Sequence, residues 1–547
     1  MRETIVPDAI TAVALSSRLL EPDAASVTAS ARGVDRRQPC HGRADPARAA
    51  AGRLAHPPIV GPVSWPTVSS LSPSQRQSLE RVVLDAPAIG SLASAFAAAG
   101  HELHLVGGSV RDALIGRLGN DLDFTTDARP DAIERLLRTV TRATWDMGRE
   151  FGTIGGRVRE ADGREWIVEI TTYRADAYDP ASRKPLVAFG DVLVDDLKRR
   201  DFRVNAMALS VVTGAFTDPF DGLADLENRV IRTPASAELS FGDDPLRMMR
   251  AARFVSQLGF VADPAVVTAM REMARRLSII SAERVRDELS KLMLSASPWP
   301  GLDLLVDTGL AELVLPEVAA LRAEVDEHKR HKNIYLHTLT VLDNVITLER
   351  ERGHGPDLIV RMAALLHDIG KPRTKRFEAG GVTFHHHDVV GAKMAKKRLT
   401  ELRFSSDEIK SICLLIELHL RFHGYAEADW SDSAVRRYVR DAGPELERLH
   451  ILTRADCTTR NVRKAHRLRT AYEQLEFRID ALAEAEELDA MRPDLDGVAI
   501  MGLLGIGPGP VVGEAYRFLL ERRLDEGPLG EERAREELLA WWASRPS

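Results

Sequence analysis

Leu105-Val106-Gly107-Gly108-Ser109-Val110-Arg111-Asp112, followed closely by Asp121-Leu122-Asp123-Phe124, sets a strand, a glycine turn, a helix and a second strand in quick succession. Residues i and i+2 of a strand project from one face, so Asp121 and Asp123 are placed to share a metal ion. Glycines such as Gly107 and Gly108 let backbone N–H groups approach a phosphate beside a helix N-terminus, which favours anions. Each half alone is ordinary: Gly-Gly turns are mostly structural, and D-x-D strings are mostly solvated. In this order and this close, they point to nucleotidyl transfer with Mg²⁺ on the paired carboxylates.

The bulk properties set bounds around this core. The chain has 547 residues, enough for roughly three or four domains. Charged residues make up 28% and aromatics 5%, a composition that leans helical. A net charge of −7 excludes a uniformly basic nucleic-acid coat but permits local basic patches. Cys40, Cys413 and Cys457 lie too far apart for a C-x-x-C site or a disulfide framework. No apolar run reaches the ~18 residues of a membrane span, and the stretch Ala9–Leu15 lacks the basic lead of a signal peptide. The expectation is a cytoplasmic protein with no membrane partner.

Along the chain, residues 1–75 read as a disordered extension rich in Ala, Arg, Pro and Ser. Strands are predicted at 103–106, 121–125, 153–158, 165–173 and 207–212, with a helix at 130–140 opened by Pro130. Beyond about 220 the strand signal fades into successive helices. The expected fold class is α+β: a small mixed-sheet head at 76–225, then an all-helical body. That body divides into a neck at 226–325, a metal-binding domain at 326–475 and a tail at 476–547.

The opening runs resemble the signature L-V-G-G-x-V-R-D, then D-x-D, of the tRNA nucleotidyltransferase and poly(A) polymerase family. The resemblance assigns Asp121 and Asp123 to catalysis, and Gly107, Gly108 and Arg111 to the nucleotide. A third carboxylate is expected for the metal, and Glu169, isolated among β-branched residues, matches the family's V-E-x-x-T-x-R strand. The run Arg199-Arg200-Asp201-Phe202-Arg203-Val204-Asn205-Ala206-Met207-Ala208 is similar to the family's R-R-D-F-T-x-N-A-M-A, which reads ribose and phosphates. It implies nucleotide roles for Arg200, Asp201 and Asn205, while Arg203 replaces the usual Thr.

Asp243-Asp244-Pro245-Leu246-Arg247, continuing to Arg250 and Arg253, resembles the family's E-D-P-L-R-x-x-R-A-x-R-F. Asp244 and Arg247 are three apart, a spacing that places both on one helix face. A carboxylate accepts and a guanidinium donates. Cytosine and adenine each offer an amino donor beside a ring acceptor and fit such a pair. Uracil and guanine turn a carbonyl oxygen toward the carboxylate, a mismatch that can be rejected by ~10⁴-fold. The resemblance implies that this protein pair selects C and A. The later run Ser281–Lys291 matches a helical scaffold element.

Met147–Ile154 looks like the CCA-adding version of the family rather than the poly(A) polymerase version. Arg174–Pro185 is a candidate for the flexible loop that full CCA addition requires. The implied reaction is attack of a tRNA 3′-hydroxyl on the α-phosphate of CTP, then ATP. A-addition alone, or poly(A) synthesis, stays open.

A second centre is signalled by His367-Asp368-Ile369-Gly370-Lys371 at the end of an apolar helix. His337 upstream and Asp456 downstream complete the ligand order of HD-domain phosphohydrolases, while His387 and His419 are as readily surface or core residues. Imidazoles with carboxylates suit a transition metal, Mn, Ni, Fe or Zn, better than Mg²⁺. A phosphohydrolase whose head merely grips RNA is the rival reading. Arg460, Arg463, Lys464, Arg467 and Arg469 form a basic string suited to tracking phosphates.

Overall fold

The computed structural model describes residues 71–545, apart from 118, 161–162, 175–188, 324–332, 379–380, 423–424, 426–429, 460 and 487–491. The expectations for residues 1–70, for the loop beyond Arg174 and for Arg460 lie outside the described residues. Pro73 to Gln75, expected in the disordered extension, instead open the helix Pro73–Asp85, because Ser72 and Gln75 form a capping box.

The head is a seven-stranded mixed sheet in the order β3-β4-β5-β2-β1-β6-β7. Its strands are β1 (His104–Val106), β2 (Asp121–Thr126), β3 (Ala143–Gly148), β4 (Thr153–Arg159), β5 (Glu165–Thr172), β6 (Ala208–Ser210) and β7 (Phe216–Thr217). Only β2 and β5 run parallel; the other pairs are antiparallel. Alternation explains the layering. Leu122 and Phe124 of β2, with Trp166, Val168 and Ile170 of β5, point into the core. Ile133 and Leu137 of the helix Pro130–Val140 cover that face, so Asp121, Asp123 and Glu169 are left on the open one. Strands β3 and β7 were not expected. Ala143–Gly148 lies at a sheet edge, pairs only with β4 through an irregular register, and carries no alternating apolar period.

The body is helical, with two minor sheets inside it: Val230–Ile231 beside Val261–Ala262, and the hairpin Arg376–Glu378 with Gly381–Thr383. Short side chains start its helices as local chemistry dictates. Ser281, Asn333 and Asp357 cap the helices Ala282–Met293, Ile334–Glu351 and Leu358–Leu366, and Ser405 forms a capping box with Glu408. The last helices keep a core of their own, from Leu495 and Ile500 to Leu519 and Leu538. No single described helix is long and apolar enough to cross a membrane.

Arg361 ties the neck to the helices that follow. It is 2% exposed, donates twice to Glu349 from Nε (3.1 and 3.0 Å) and once from Nη2 (2.6 Å), and reaches the carbonyls of Met293 and Ser295 at 2.8 Å each. Removing one partner of a buried pair leaves the other charge unmet. Arg361→Ala is therefore expected to lower the unfolding free energy by ~3 kcal/mol or more, read by urea unfolding of the full chain.

Candidate functional site

The parallel register sets Asp123 of β2 directly beside Glu169 of β5, with Asp121 two residues back on the same face. Burial and its neighbour Asp121 push the Asp123 carboxyl above the usual range, against the pull of Arg200 and Arg111. Glu169 is raised by burial and then by Asp123 and Asp121. Where neighbouring carboxylates add to such shifts, as Asp121 does for Asp123 and both do for Glu169, a divalent cation relieves the repulsion.

Beside them, Gly107 holds φ at +67°, a conformation that favours glycine. A Cβ there would lie 3.1 Å from Arg200 Nη1 and 3.7 Å from Asp123 Oδ2, so the bare backbone is what admits both. The helix Gly108–Leu114 follows, and Ser109 Oγ locks it to β2 by accepting from Asp123 N–H (3.0 Å) and donating to the Asp121 carbonyl (3.2 Å).

Five residues read as nucleotide-binding form a buried ladder instead of lining the open face. Arg111 donates to Asn205 Oδ1 (2.6 Å) and Asn205 Nδ2 donates to Asp201 (2.9 Å). Asp201 accepts from Arg250 Nε (2.8 Å), Arg250 lies 3.6 Å from Glu288, and Arg253 Nε donates to Glu288 (2.6 Å). Burial opposes the charge on Asp201, but Arg250 and Asn205 hold its carboxyl far below the usual range. The guanidiniums of Arg111, Arg250 and Arg253 also stack over Phe254, the last at 4.1 Å from the ring centre.

Asp244 and Arg247 do not share one helix face as expected, and their side chains take different partners. Pro245 has no N–H and the helix Leu246–Leu258 begins after it, so Asp244 sits ahead of the helix rather than on its face. Asp244 caps Leu246 N–H (3.1 Å) and pairs with Arg284 (2.8 Å). Arg247 is buried and donates to Ser240 Oγ (2.8 Å) and the Arg199 carbonyl (2.6 Å). The scaffold helix Ala282–Met293 thus supplies partners to both the ladder and Asp244, through Glu288 and Arg284. Arg203 is a tie within the fold: it donates to the Thr233 carbonyl (3.1 Å) and lies 4.0 Å from Asp225.

In the body, His337, the adjacent pair His367-Asp368 and Asp456 converge from three helices, and His387 and His419 join them. Two groups can hold a metal ion, His337/His367/Asp456 and Asp368/His387/His419, with ligand atoms in each within 4.8 Å of one another. Asp368 faces both, Oδ2 lying 3.5 Å from His337 and Oδ1 3.4 Å from His387.

Helix ends explain the arrangement. His367 and His419 donate from Nδ1 to the carbonyls of Ala364 (2.8 Å) and Ile416 (2.6 Å), carbonyls that a helix C-terminus leaves without an amide partner. His387, at the start of its helix, donates from Nδ1 to the Phe384 carbonyl in the turn before it (2.8 Å), and Thr458 holds His337 Nδ1 (3.0 Å). Every Nε2 is thereby turned inward, as metal-binding imidazoles require. The Nε2 atoms of His367, His387 and His419 and Asp368 Oδ1 are buried with no hydrogen-bond partner, so the donor set fits metal. Burial and the neighbouring His367 push His419 down to about 4, so it is neutral near pH 7. Burial opposes the charge on Asp368, but His367 and Lys371 outweigh it and hold its carboxyl well below the usual range.

The sequence reading left His387 and His419 undecided; the signal lay in the run His385–His387, of which only His387 is buried. It passed over Asp196 altogether and met Phe254 only as the last letter of a motif, without a role.

Three family descriptions match the chain: "Poly A polymerase head domain" at 103–232, "Probable RNA and SrmB- binding site of polymerase A" at 259–321, and "HD domain" at 334–461. An A-adding tRNA nucleotidyltransferase of Deinococcus radiodurans is 34% identical over 429 residues, 77% of this chain and 91% of the relative. A CCA-adding enzyme of Lactobacillus johnsonii is 42% identical over 217 residues, 40% of this chain and about half (52%) of that relative. The crystal structure of the Bacillus stearothermophilus CCA-adding enzyme in complex with CTP shares the fold, with a TM-score of 0.54 at 23% identity, covering 87% of this chain and 99% of that one.

Gly370 gives a direct test of the helical centre, because a Cβ there would lie 2.1 Å from the His387 carbonyl oxygen. Gly370→Ala is expected to weaken metal binding ~10- to 100-fold by displacing His387. Metal content measured by mass spectrometry would show it, with nucleotide incorporation at the head unchanged.

Proposed function

The chain belongs to the tRNA nucleotidyltransferase and poly(A) polymerase family, and from that premise we propose that it adds C, C and A to the 3′ end of tRNA from CTP and ATP without a nucleic-acid template. The observation that carries this reading is the Asp123–Glu169 register, with Asp121 on the same face and the Gly107/Arg200 cradle beside it. On it the head spans 76–225, the neck 226–325, the HD domain 326–475 and the tail 476–547, and the protein works in the cytoplasm with its tRNA.

Asp121, Asp123 and Glu169 would hold Mg²⁺, which when bound stabilises charge on the attacking and leaving oxygens of an in-line displacement. The chain's own contribution is placement. Gly107, Gly108 and Arg200 receive the triphosphate. Asp244 and Arg247 offer an acceptor and a donor to the base edge, so cytosine and adenine pair where uracil does not. The ladder through Arg111, Asp201, Asn205, Arg250 and Arg253 keeps those two places at a fixed separation. Exposed Arg463, Lys464, Arg467 and Arg469 on the helix Val462–Glu486 supply a face for RNA phosphates.

A-addition alone is the second reading, favoured by the Deinococcus relative matched along most of its length. In the body, the four imidazoles with Asp368 and Asp456 would hold one or two divalent transition-metal ions, Mn, Ni, Fe or Zn, which when bound act as a Lewis acid toward phosphate esters.

Purified protein with Mg²⁺, tRNA lacking its 3′ end and each labelled nucleotide separately tests the reading. CTP and then ATP should be incorporated; ATP alone supports A-addition, and UTP incorporation contradicts the Asp244/Arg247 argument. Asp121→Ala with Asp123→Ala should lower incorporation by ~10³-fold or more. If that variant keeps the full activity, the head only grips RNA and the HD reading takes its place.

A further inference from the structure

Asp196, on the helix Leu193–Lys198, is 2% exposed and belongs to none of the runs considered above. Its Oδ2 accepts from Thr125 Oγ1 (3.2 Å) and Arg200 Nη2 (3.2 Å); its Oδ1 accepts from the Arg174 N–H (3.3 Å) and Arg199 Nε (3.5 Å). A carboxylate offers about four lone-pair sites; three N–H donors engage Asp196, and the Thr125 hydroxyl shares its one proton between Asp196 and the Thr171 carbonyl (3.1 Å).

What the donors are connected to matters more than their number. Thr125 stands two residues beyond Asp123 on the same strand. Arg200 reaches from Asp196 to the Gly107 turn, with Nη1 where a Gly107 Cβ would be 3.1 Å away. Arg199 turns its carbonyl to Arg247 Nη2 (2.6 Å), the arginine read as meeting the base. One buried carboxylate therefore holds an arginine at the phosphate end of the site and the side chain of Arg199, whose carbonyl meets an arginine at its base end.

We propose that Asp196 is a positioning residue for nucleotide binding, aiming Arg200 at the triphosphate and holding the Arg199 backbone beneath Arg247. The proposal rests on the reading that Arg200 meets the triphosphate. Its physical basis is preorganisation: a long side chain fixed before the ligand arrives loses less freedom on binding.

The test uses the full chain with Mg²⁺, tRNA lacking its 3′ end, CTP and ATP. Arg200→Ala is expected to raise KM for both nucleotides ~10-fold or more, the worth of a charge-assisted hydrogen bond. Asp196→Asn should raise both KM values by a similar ~10-fold with kcat changed less than ~3-fold, and the double variant should be no worse than Arg200→Ala alone. A merely structural role predicts instead that kcat and unfolding midpoint fall together and that the two changes add. Thr125→Val, which keeps the carboxylate and removes one bond to it, should raise KM ~2- to 3-fold and carries the test if Asp196→Asn does not fold. An unaffected KM in Arg200→Ala overturns the reading of Arg200. A raised KM there, with KM unmoved in Asp196→Asn or Thr125→Val, or with additive effects, overturns the proposal for Asp196.

Discussion

A file of charged and amide side chains, Arg111, Asn205, Asp201, Arg250, Glu288 and Arg253, runs through the interior from the glycine turn to the neck, and the geometry of the head depends on it. Charges out of water persist only when each has its partner. Here each member is the next one's partner, so the file forms as a whole and fixes the helix Leu246–Leu258 against the sheet. Phe254 fills the space between the three guanidiniums, and Phe202 packs edge-on against it at 5.6 Å. A protein that reads a base while aligning its α-phosphate needs that distance set before the nucleotide arrives. On the reading proposed above, the file supplies it without a ligand.

The helical centre shows the opposite condition. There the outer nitrogens are paired and the inner atoms are not: His367, His387 and His419 each present an unsatisfied Nε2, and Asp368 an unsatisfied oxygen. Unpaired buried groups cost stability, and several of them converging is a cost that a bound cation removes. The same criterion separates the two regions of the molecule. Where buried polar atoms satisfy one another we read positioning; where they converge unsatisfied we read a place for a cation.

The sequence disclosed most where periodicity and motif agree. The alternation of β2 and β5 gave away both the core face and the acid face, because period two is a property of the strand itself. The direct pairing of Asp123 with Glu169 was hidden, since parallel register is set by the packing around it. Ala143–Gly148 escaped because an edge strand held on one side needs no apolar alternation. Asp201, Asn205, Arg250 and Arg253 were singled out by their motifs as nucleotide-binding residues, and the structure shows three of them bonded to one another and Arg253 to Glu288. A motif, however, records which residues occur and not which of them pair with each other, so their mutual bonding appeared only in three dimensions. Asp244 and Arg247 were placed on one helix face by spacing alone, and Pro245 moved the helix start past the first of them.

The central claim is that a preformed protein frame sets phosphate and base in register at the head. A structure of the full chain with Mg²⁺ and a non-hydrolysable CTP analogue tests it most directly. The account predicts the triphosphate against Gly107 and Arg200, the ions on Asp121 and Asp123, the cytosine amino group on Asp244, and the buried file unchanged from its present hydrogen bonds. A nucleotide bound elsewhere, or a file rebuilt around it, would contradict the account.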